Sequence, residues 1–164
     1  MRAPIPYEFL PAVPGFTLKS DDLEHGGRVP DRHVYNGGNV SPQLSWSGFP
    51  AETRSFAVTC FDPDAPTGSG FWHWLLFDVP AGVTSLEAGA AGPAGSVTTP
   101  SDYGKPGYGG PYPPPGPAHR YVFAVHALDV PTLGLGADTR PPSVGFTITK
   151  HTIARAVLIA EFGF

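Results

Sequence analysis

Polar side chains that could bind an anion or move a proton flank or interrupt three apolar stretches of this chain. Asp62 follows the first stretch, His73 lies between two tryptophans of the second, and His119 and Tyr121 begin the third. Imidazole N–H groups and a phenol donate hydrogen bonds to phosphoryl oxygens. A carboxylate beside a histidine fixes its tautomer and stabilises its charged form. These residue types therefore predict a small-anion site, provided that the fold brings them together.

The same four side chains allow other chemistry. The histidines and Asp62 could carry out acid–base steps on a small molecule, such as a hydrolysis, an isomerisation or a cyclisation. Two histidines and an aspartate also match the ligands of a facial-triad metal site. The chain has no sequence motif of a serine-hydrolase elbow, a phosphate-binding loop, an H-E-x-x-H zinc site or a dinucleotide fold. No nucleophile is paired with a base, so the leading interpretation is binding without catalysis, with no cofactor and no metal.

Structural roles are the competing interpretation for each histidine. For His73 and His119 both interpretations stay open, because a buried histidine is normally hydrogen-bonded whether or not it binds a ligand. For the other histidines we favour a structural role; these are His25, His33, His126 and His151.

Three long strands must position the candidate residues. Alternate residues on a strand share a face, which groups His119 with Tyr121, Asp62 with Cys60 and Val58, and His73 with Phe71, Leu75 and Phe77. The predicted long strands are Thr53–Phe61, Phe71–Val79 and Arg120–Leu128, and shorter ones are Phe16–Leu18, Gln43–Trp46 and Val83–Leu86.

One segment has apolar residues at helical spacing. Ile148, Ile153, Ala156 and Ile159 recur along Thr147–Ala160, which predicts a helix. The end of the same segment, from Val157 to Phe162, fits an edge strand equally well.

A long loop, Pro100–Pro117, separates the second long strand from the third. It mixes five glycines with a run of prolines near its end. Glycine lets a backbone approach a ligand closely and proline removes flexibility, so the loop is predicted to be a stiff pocket rim. A second interpretation is a recognition segment for a partner protein, in which Pro113–Pro115 forms an extended proline helix.

Composition limits the class of protein. The 164 residues include 21 glycines and 21 prolines, yet only 15% are charged and 12% are aromatic, which favours a loop-rich β domain over disorder. We predict one domain, residues 1–164.

A net charge of −4 without a basic cluster argues against nucleic-acid binding. The apolar runs are too short to span a membrane, and a lone cysteine with no secretory signal favours the cytoplasm.

These segments together resemble the phosphatidylethanolamine-binding protein family, in its bacterial branch called Raf-kinase-inhibitor-like. The resemblance covers nearly the whole chain in the right order, and five motifs in sequence are highly specific. The matching runs are Ser41-Pro42-Gln43-Leu44-Ser45-Trp46, Asp62-Pro63-Asp64-Ala65-Pro66, Phe71-Trp72-His73-Trp74, Tyr108-Gly109-Gly110-Pro111 with Pro113-Pro114-Pro115, and His119-Arg120-Tyr121. The C-terminal segments Gly145-Phe146 and His151–Ala156 also look like this branch.

The resemblance implies an antiparallel Greek-key β-sandwich with a few short helices. It also implies a pocket for phosphate, phosphoethanolamine or a phospholipid head group. The residues expected to line the pocket are Asp62, His73, His119 and Tyr121, and those expected at its rim are Pro66, Gly109, Gly110 and Pro111.

Further expectations concern the backbone, the mouth of the pocket and the assembly. Relatives suggest a cis bond at Ala65-Pro66 and a second one, without proline, just before Phe71. The chain departs from the bacterial pattern at Ser101 and at Tyr112, and the phenol of Tyr112 could narrow the mouth. The apolar end Phe162-Gly163-Phe164 would suit a homodimer interface.

Overall fold

A five-stranded antiparallel sheet forms the centre of the molecule. The structure is a computed structural model that describes residues 2–164. The sheet has the strand order β6-β4-β3-β7-β8, and a smaller sheet has the order β1-β2-β5. The strands are β1 (Thr17–Lys19), β2 (Leu44–Ser47), β3 (Ser55–Asp62), β4 (Phe71–Pro80), β5 (Ser85–Leu86), β6 (Val97–Thr98), β7 (His119–Leu128) and β8 (Thr152–Phe162). The helices are α1 (Pro141–His151) and two 3-10 turns, Pro6–Glu8 and Asp31–His33.

Each face of the large sheet has its own apolar core. Phe56, Val58 and Phe123 point towards the small sheet, where they pack with Leu44 and Trp46. The opposite face packs against α1, and its residues are Ala57, Leu75, Phe77 and Leu128 with Val144 and Ile148 of the helix. Side chains alternate between the faces along each strand. The mainly β, antiparallel sandwich predicted from the sequence is therefore confirmed.

The three long strands confirm the alternation in the sequence, but the helix prediction is wrong over most of its length. The helix ends at His151, and Thr152–Phe162 is the edge strand β8, paired along β7. Ala154, Leu158 and Phe162 are buried on the face that meets the small sheet. Without β8, the outer edge of the buried strand β7 would have unpaired backbone groups. The hydrogen bonds that β8 makes there outweigh the helical spacing of its apolar residues. The alternative of an edge strand over Val157–Phe162 is the correct one.

A β-bulge in β4 determines where His73 points. Cys60 pairs with Trp74 and Phe61 pairs with Trp72, so His73 is the extra residue between the two pairs. Such a residue shifts the alternation on either side of it. The prediction that His73 shares a face with Leu75 and Phe77 is therefore wrong, because those two residues belong to the core under α1.

Both predicted cis peptide bonds are wrong, because every peptide bond described between residues 2 and 164 is trans. The loop between Asp62 and Phe71 turns back by other means. Gly68 and Gly70 adopt φ of 80° and 73°, a region that glycine enters without steric cost. At Gly70 a side chain would also collide with the ring of Phe61.

No helix within residues 2–164 is long and apolar enough to cross a membrane.

Candidate anion-binding site

Asp62 and His119 form a buried hydrogen-bonded pair where β3 ends and β7 begins. His119 Nδ1 lies 2.7 Å from Asp62 Oδ2, and the backbone N–H of Asp64 donates to Asp62 Oδ1 at 2.8 Å. Burial raises the pKa of Asp62, and the hydrogen bond from His119 opposes that rise. Because Nδ1 of His119 is directed at the carboxylate, Nε2 is the ring nitrogen that remains for a ligand.

The neighbouring ion pair fixes the loop that carries Asp62. Arg120 donates to Asp64 through Nε at 2.9 Å, through an Nη at 2.8 Å and through its backbone N–H at 2.9 Å. Burial acts to raise the pKa of Asp64, but the hydrogen bonds from Arg120 outweigh it, so that pKa is lowered. A bidentate pair of this kind adds geometric specificity, and it holds the β3 end against the start of β7.

His73 is held by the long loop. Its Nδ1 lies 2.7 Å from the carbonyl oxygen of Gly109, and the Gly109 N–H donates to the His73 carbonyl at 2.9 Å. Burial lowers the pKa of His73 to about 4. The ring is therefore neutral near pH 7 and carries its proton on Nδ1, since a carbonyl only accepts.

The hydroxyl of Tyr121 is buried and has no hydrogen-bond partner among the described residues. Tyr121 itself is fully buried, and its ring lies 5.1 Å from that of His73 in an edge-to-face arrangement. Burial raises the pKa of Tyr121, so the phenol keeps its proton. A buried hydroxyl without a partner costs about 1–3 kcal/mol, and a bound ligand could supply the missing partner.

These four residues line one cavity of about 140 Å³. The structure thus brings Asp62, His73, His119 and Tyr121 together. Pro66 lines the same cavity. The remaining walls are Ala65, Thr67, Phe71, Tyr103, Tyr112, Pro113 and Pro114. The volume suits a group of a few heavy atoms, such as a tetrahedral oxyanion.

The other predicted rim residues have a different position. Gly109, Gly110 and Pro111 are buried and do not line the cavity. The Gly110 N–H donates to Asn39 Oδ1 at 2.8 Å, so it is not free for an anion. The glycines are required for packing, because a Cβ at Gly109 would meet the Tyr103 ring at 2.4 Å and one at Gly110 would meet backbone.

Sequence reasoning did not predict Tyr103 as a cavity residue, and it placed Phe71 only on the same face as His73. Tyr103 donates its hydroxyl to the Gly110 carbonyl at 2.8 Å and stacks on Tyr35 at 4.2 Å. Its ring also meets Phe71 edge-on at 4.8 Å. The available signal was an aromatic residue inside a glycine-rich loop. Of the two departures from the bacterial pattern, Tyr112 lines the cavity mouth and Ser101 is buried outside it.

The metal interpretation finds no support in the geometry of the described chain. Among residues 2–164 no three side chains of His, Cys, Asp or Glu are grouped as metal ligands. His73 and His119 each direct Nδ1 to a protein oxygen, and both oxygens of Asp62 accept hydrogen bonds from the protein.

The two antiparallel sheets and the cavity at the end of β3 define a small β-sandwich with a pocket that polar and aromatic side chains line. Comparison with known proteins places this sandwich in a family. The family described as phosphatidylethanolamine-binding protein matches residues 19–163. The chain belongs to the phosphatidylethanolamine-binding protein family.

Bacterial relatives match over most of their length. The chain is 45% identical over 155 residues to the UPF0098 protein YbhB of Escherichia coli, covering 88% of this chain and 98% of that protein. The crystal structure of E. coli YbcL superposes on this chain with a TM-score of 0.88 at 38% identity, covering 91% of this chain and 98% of YbcL. YbcL is itself a member of the mammalian phosphatidylethanolamine-binding protein family. A family homologue from Chlamydia trachomatis gives a TM-score of 0.81 at 28% identity, covering 92% and 98%.

Proposed function

We propose that this protein binds a small oxyanion, such as phosphate, phosphoethanolamine or the phosphate of a head group, without transforming it. The observation that carries the proposal is that Tyr121, whose buried hydroxyl has no partner among the described residues, lines the same cavity as two histidines. A phenol that keeps its proton and an imidazole N–H are both donors suited to phosphoryl oxygens.

The carboxylate in the site is compatible with an anion. Both oxygens of Asp62 already accept hydrogen bonds, from His119 and from the Asp64 N–H. The negative charge is thus directed at donors of the protein. Asp62 acts as the partner that orients the His119 ring.

The test compares thermal unfolding with and without about 10 mM phosphate or phosphoethanolamine. A ligand with a Kd of about 1 mM stabilises the protein by about 1.4 kcal/mol, which for this size raises Tm by roughly 3–6 °C. His119→Ala should abolish the rise. His151→Ala is the matched control, because His151 is a half-buried histidine at the end of α1 that hydrogen-bonds Asp129. A rise of equal size in wild type and His119→Ala would contradict the proposal.

Acid–base catalysis is the second candidate, and the Asp62–His119 pair favours it. A histidine oriented by a carboxylate, with Nε2 facing a cavity, is the arrangement of a general base. Release of phosphate from a phosphomonoester, lost in His119→Ala and retained in His151→Ala, would support this function over binding alone.

Location and assembly are further proposals. We propose a cytoplasmic protein, because its single cysteine, Cys60, is buried and free, and cell fractionation tests this.

The homodimer stays a prediction: Phe162 is buried, whereas Phe164 is 59% exposed. Sedimentation of wild type and Phe164→Ser tests that assignment.

A further inference from the structure

We propose that the cavity selects an oxyanion that carries its own hydroxyl group, because His73 presents a hydrogen-bond acceptor to the bound group. The ligand class is a hydrogen phosphate or the monoanion of a phosphomonoester. This inference rests on the proposed anion-binding function and narrows it to one protonation state of the ligand.

The acceptor role of His73 follows from the atom that its other nitrogen contacts. Nδ1 lies 2.7 Å from the Gly109 carbonyl oxygen, which has no proton to give, so Nδ1 must be the protonated nitrogen. In the neutral ring Nε2 then has a lone pair. Gly109 cannot move away, because its N–H donates back to the His73 carbonyl at 2.9 Å and the Tyr103 ring covers its Cα.

The surroundings of His73 disfavour its protonation. Aromatic rings enclose the imidazole, with centroids of Phe71 at 4.8 Å, Tyr121 at 5.1 Å and Tyr103 at 5.5 Å. Burial is the main cause that lowers the pKa of His73, and the positive charge of His119 adds to it. Asp62 is the acidic group in the cavity, and its oxygens are engaged by His119 and Asp64.

The cavity therefore offers one acceptor, the Nε2 of neutral His73, and the Tyr121 phenol as a donor beside it. Hydrogen phosphate matches this pair, because its O–H donates to His73 and another of its oxygens accepts from the phenol. Sulfate has the same shape and charge but no O–H at neutral pH. It would place an oxygen lone pair against that of His73, leaving a buried acceptor without a donor.

The experiment measures the Kd of wild-type protein by titration calorimetry at pH 7 and constant ionic strength. The probes are inorganic phosphate, sulfate and dimethyl phosphate. Phosphate carries an O–H in both of its forms near pH 7, whereas sulfate and the diester carry none. We expect phosphate to bind at least about tenfold more tightly than either of the other two.

Variants assign the selectivity to His73. In His73→Gln the amide can donate as well as accept, so the ratio of sulfate Kd to phosphate Kd should fall towards one. His151→Gln makes the same change far from the cavity and should leave the ratio as in wild type. Tyr121→Phe removes a donor that serves both anions, so both should weaken while the ratio persists. This variant tests the assignment even if His73→Gln fails to fold.

The outcomes separate the two proposals. Equal binding of phosphate and sulfate by the wild type would overturn the selection of a protonated ligand and leave anion binding intact. An unchanged ratio in a folded His73→Gln would overturn the role of His73. Binding of neither phosphate nor sulfate would overturn the proposed function itself.

Discussion

The large sheet buries a polar cluster on each of its two faces, and the two clusters use similar residues differently. The pocket cluster consists of Asp62, His73, His119 and Tyr121 and lies on the face turned to the small sheet. The arginine cluster, on the opposite face, consists of Tyr7, Thr59, His126 and Arg155. Both contain a buried histidine and a tyrosine whose hydroxyl is buried, and the pocket cluster lines the cavity.

The arginine cluster leaves no histidine nitrogen free. Arg155 Nε donates to His126 Nδ1 at 3.1 Å, so Nε2 carries the proton and donates to Thr59 Oγ1 at 2.9 Å. The guanidinium lies 4.2 Å from the centre of the Tyr7 ring, a cation–π contact. Within residues 2–164 Arg155 forms no ion pair with a carboxylate, and burial lowers its pKa.

The two clusters differ in how their histidines use the ring nitrogens. In the pocket cluster each histidine uses Nδ1 on the protein and leaves Nε2 for the cavity. In the arginine cluster both nitrogens of His126 have partners in the protein. Burial and a shifted pKa are common to His73 and His126, so neither property identifies a site without the hydrogen-bond geometry.

Acid should destabilise both clusters, and this is the largest effect that we expect. The pKa of His73 falls from 6.5 to about 4 on folding, so the unfolded chain binds more protons in that interval. The stability contributed by the neutral ring is present above pH 6.5 and is lost as pH falls towards 4, by about 3 kcal/mol. His126 acts with the same sign, and Asp62, whose pKa is raised, acts with the opposite sign.

Urea unfolding between pH 7 and pH 4 measures this loss. His73→Gln and His126→Gln should each reduce the slope of stability against pH. A slope that is unchanged in both variants would contradict the assignment of neutral buried histidines.

Truncation of one histidine in each cluster should separate stability from binding. His126→Ala leaves Thr59 and Arg155 without their partner in a closed space, so the free energy of unfolding should fall by about 2–4 kcal/mol. His119→Ala opens onto a cavity that water can enter and should cost about 1 kcal/mol. Urea unfolding measures both. As a control, His126→Ala should keep the phosphate-induced rise in Tm. If His126→Ala loses that rise, the two clusters do not differ in function.

Removal of the Tyr121 hydroxyl is the smallest effect and has an unusual sign. The oxygen is buried without a partner, so Tyr121→Phe should leave the ligand-free protein as stable or more stable by up to about 1 kcal/mol. The same variant should bind phosphate more weakly. Lower stability without ligand would show that the hydroxyl already has a partner, for example a buried water.

Local patterns in the chain were sufficient for much of the framework. Apolar runs of strand length predicted β3, β4 and β7 within one or two residues, because a strand that is buried on both faces is apolar at most of its positions. The same period of two grouped His119 with Tyr121 and Asp62 with Cys60, whereas the set of four pocket residues came from the family resemblance. The segment after His151 could not be assigned in this way, because its residues fit a helix and a strand alike and only pairing with β7 decides between them.

The residues that touch the cavity depended more on tertiary structure. The bulge at His73 reverses the face expected from alternation, and a bulge depends on the register of two strands that are distant in the sequence. Gly109 and Gly110 were predicted at the rim, but neighbouring segments pack against their Cα atoms and place them behind it.

Sequence alone determined the family and the long strands, since those features follow from motifs and local periodicity, and the family resemblance named the four polar residues that line the cavity. Tertiary structure decided the direction of His73, the lining by Tyr103 and the choice of nitrogen that each histidine exposes. Those properties depend on hydrogen-bond partners such as Gly109, 36 positions from His73, and Asp62, 57 positions from His119. Only the folded chain brings such partners together.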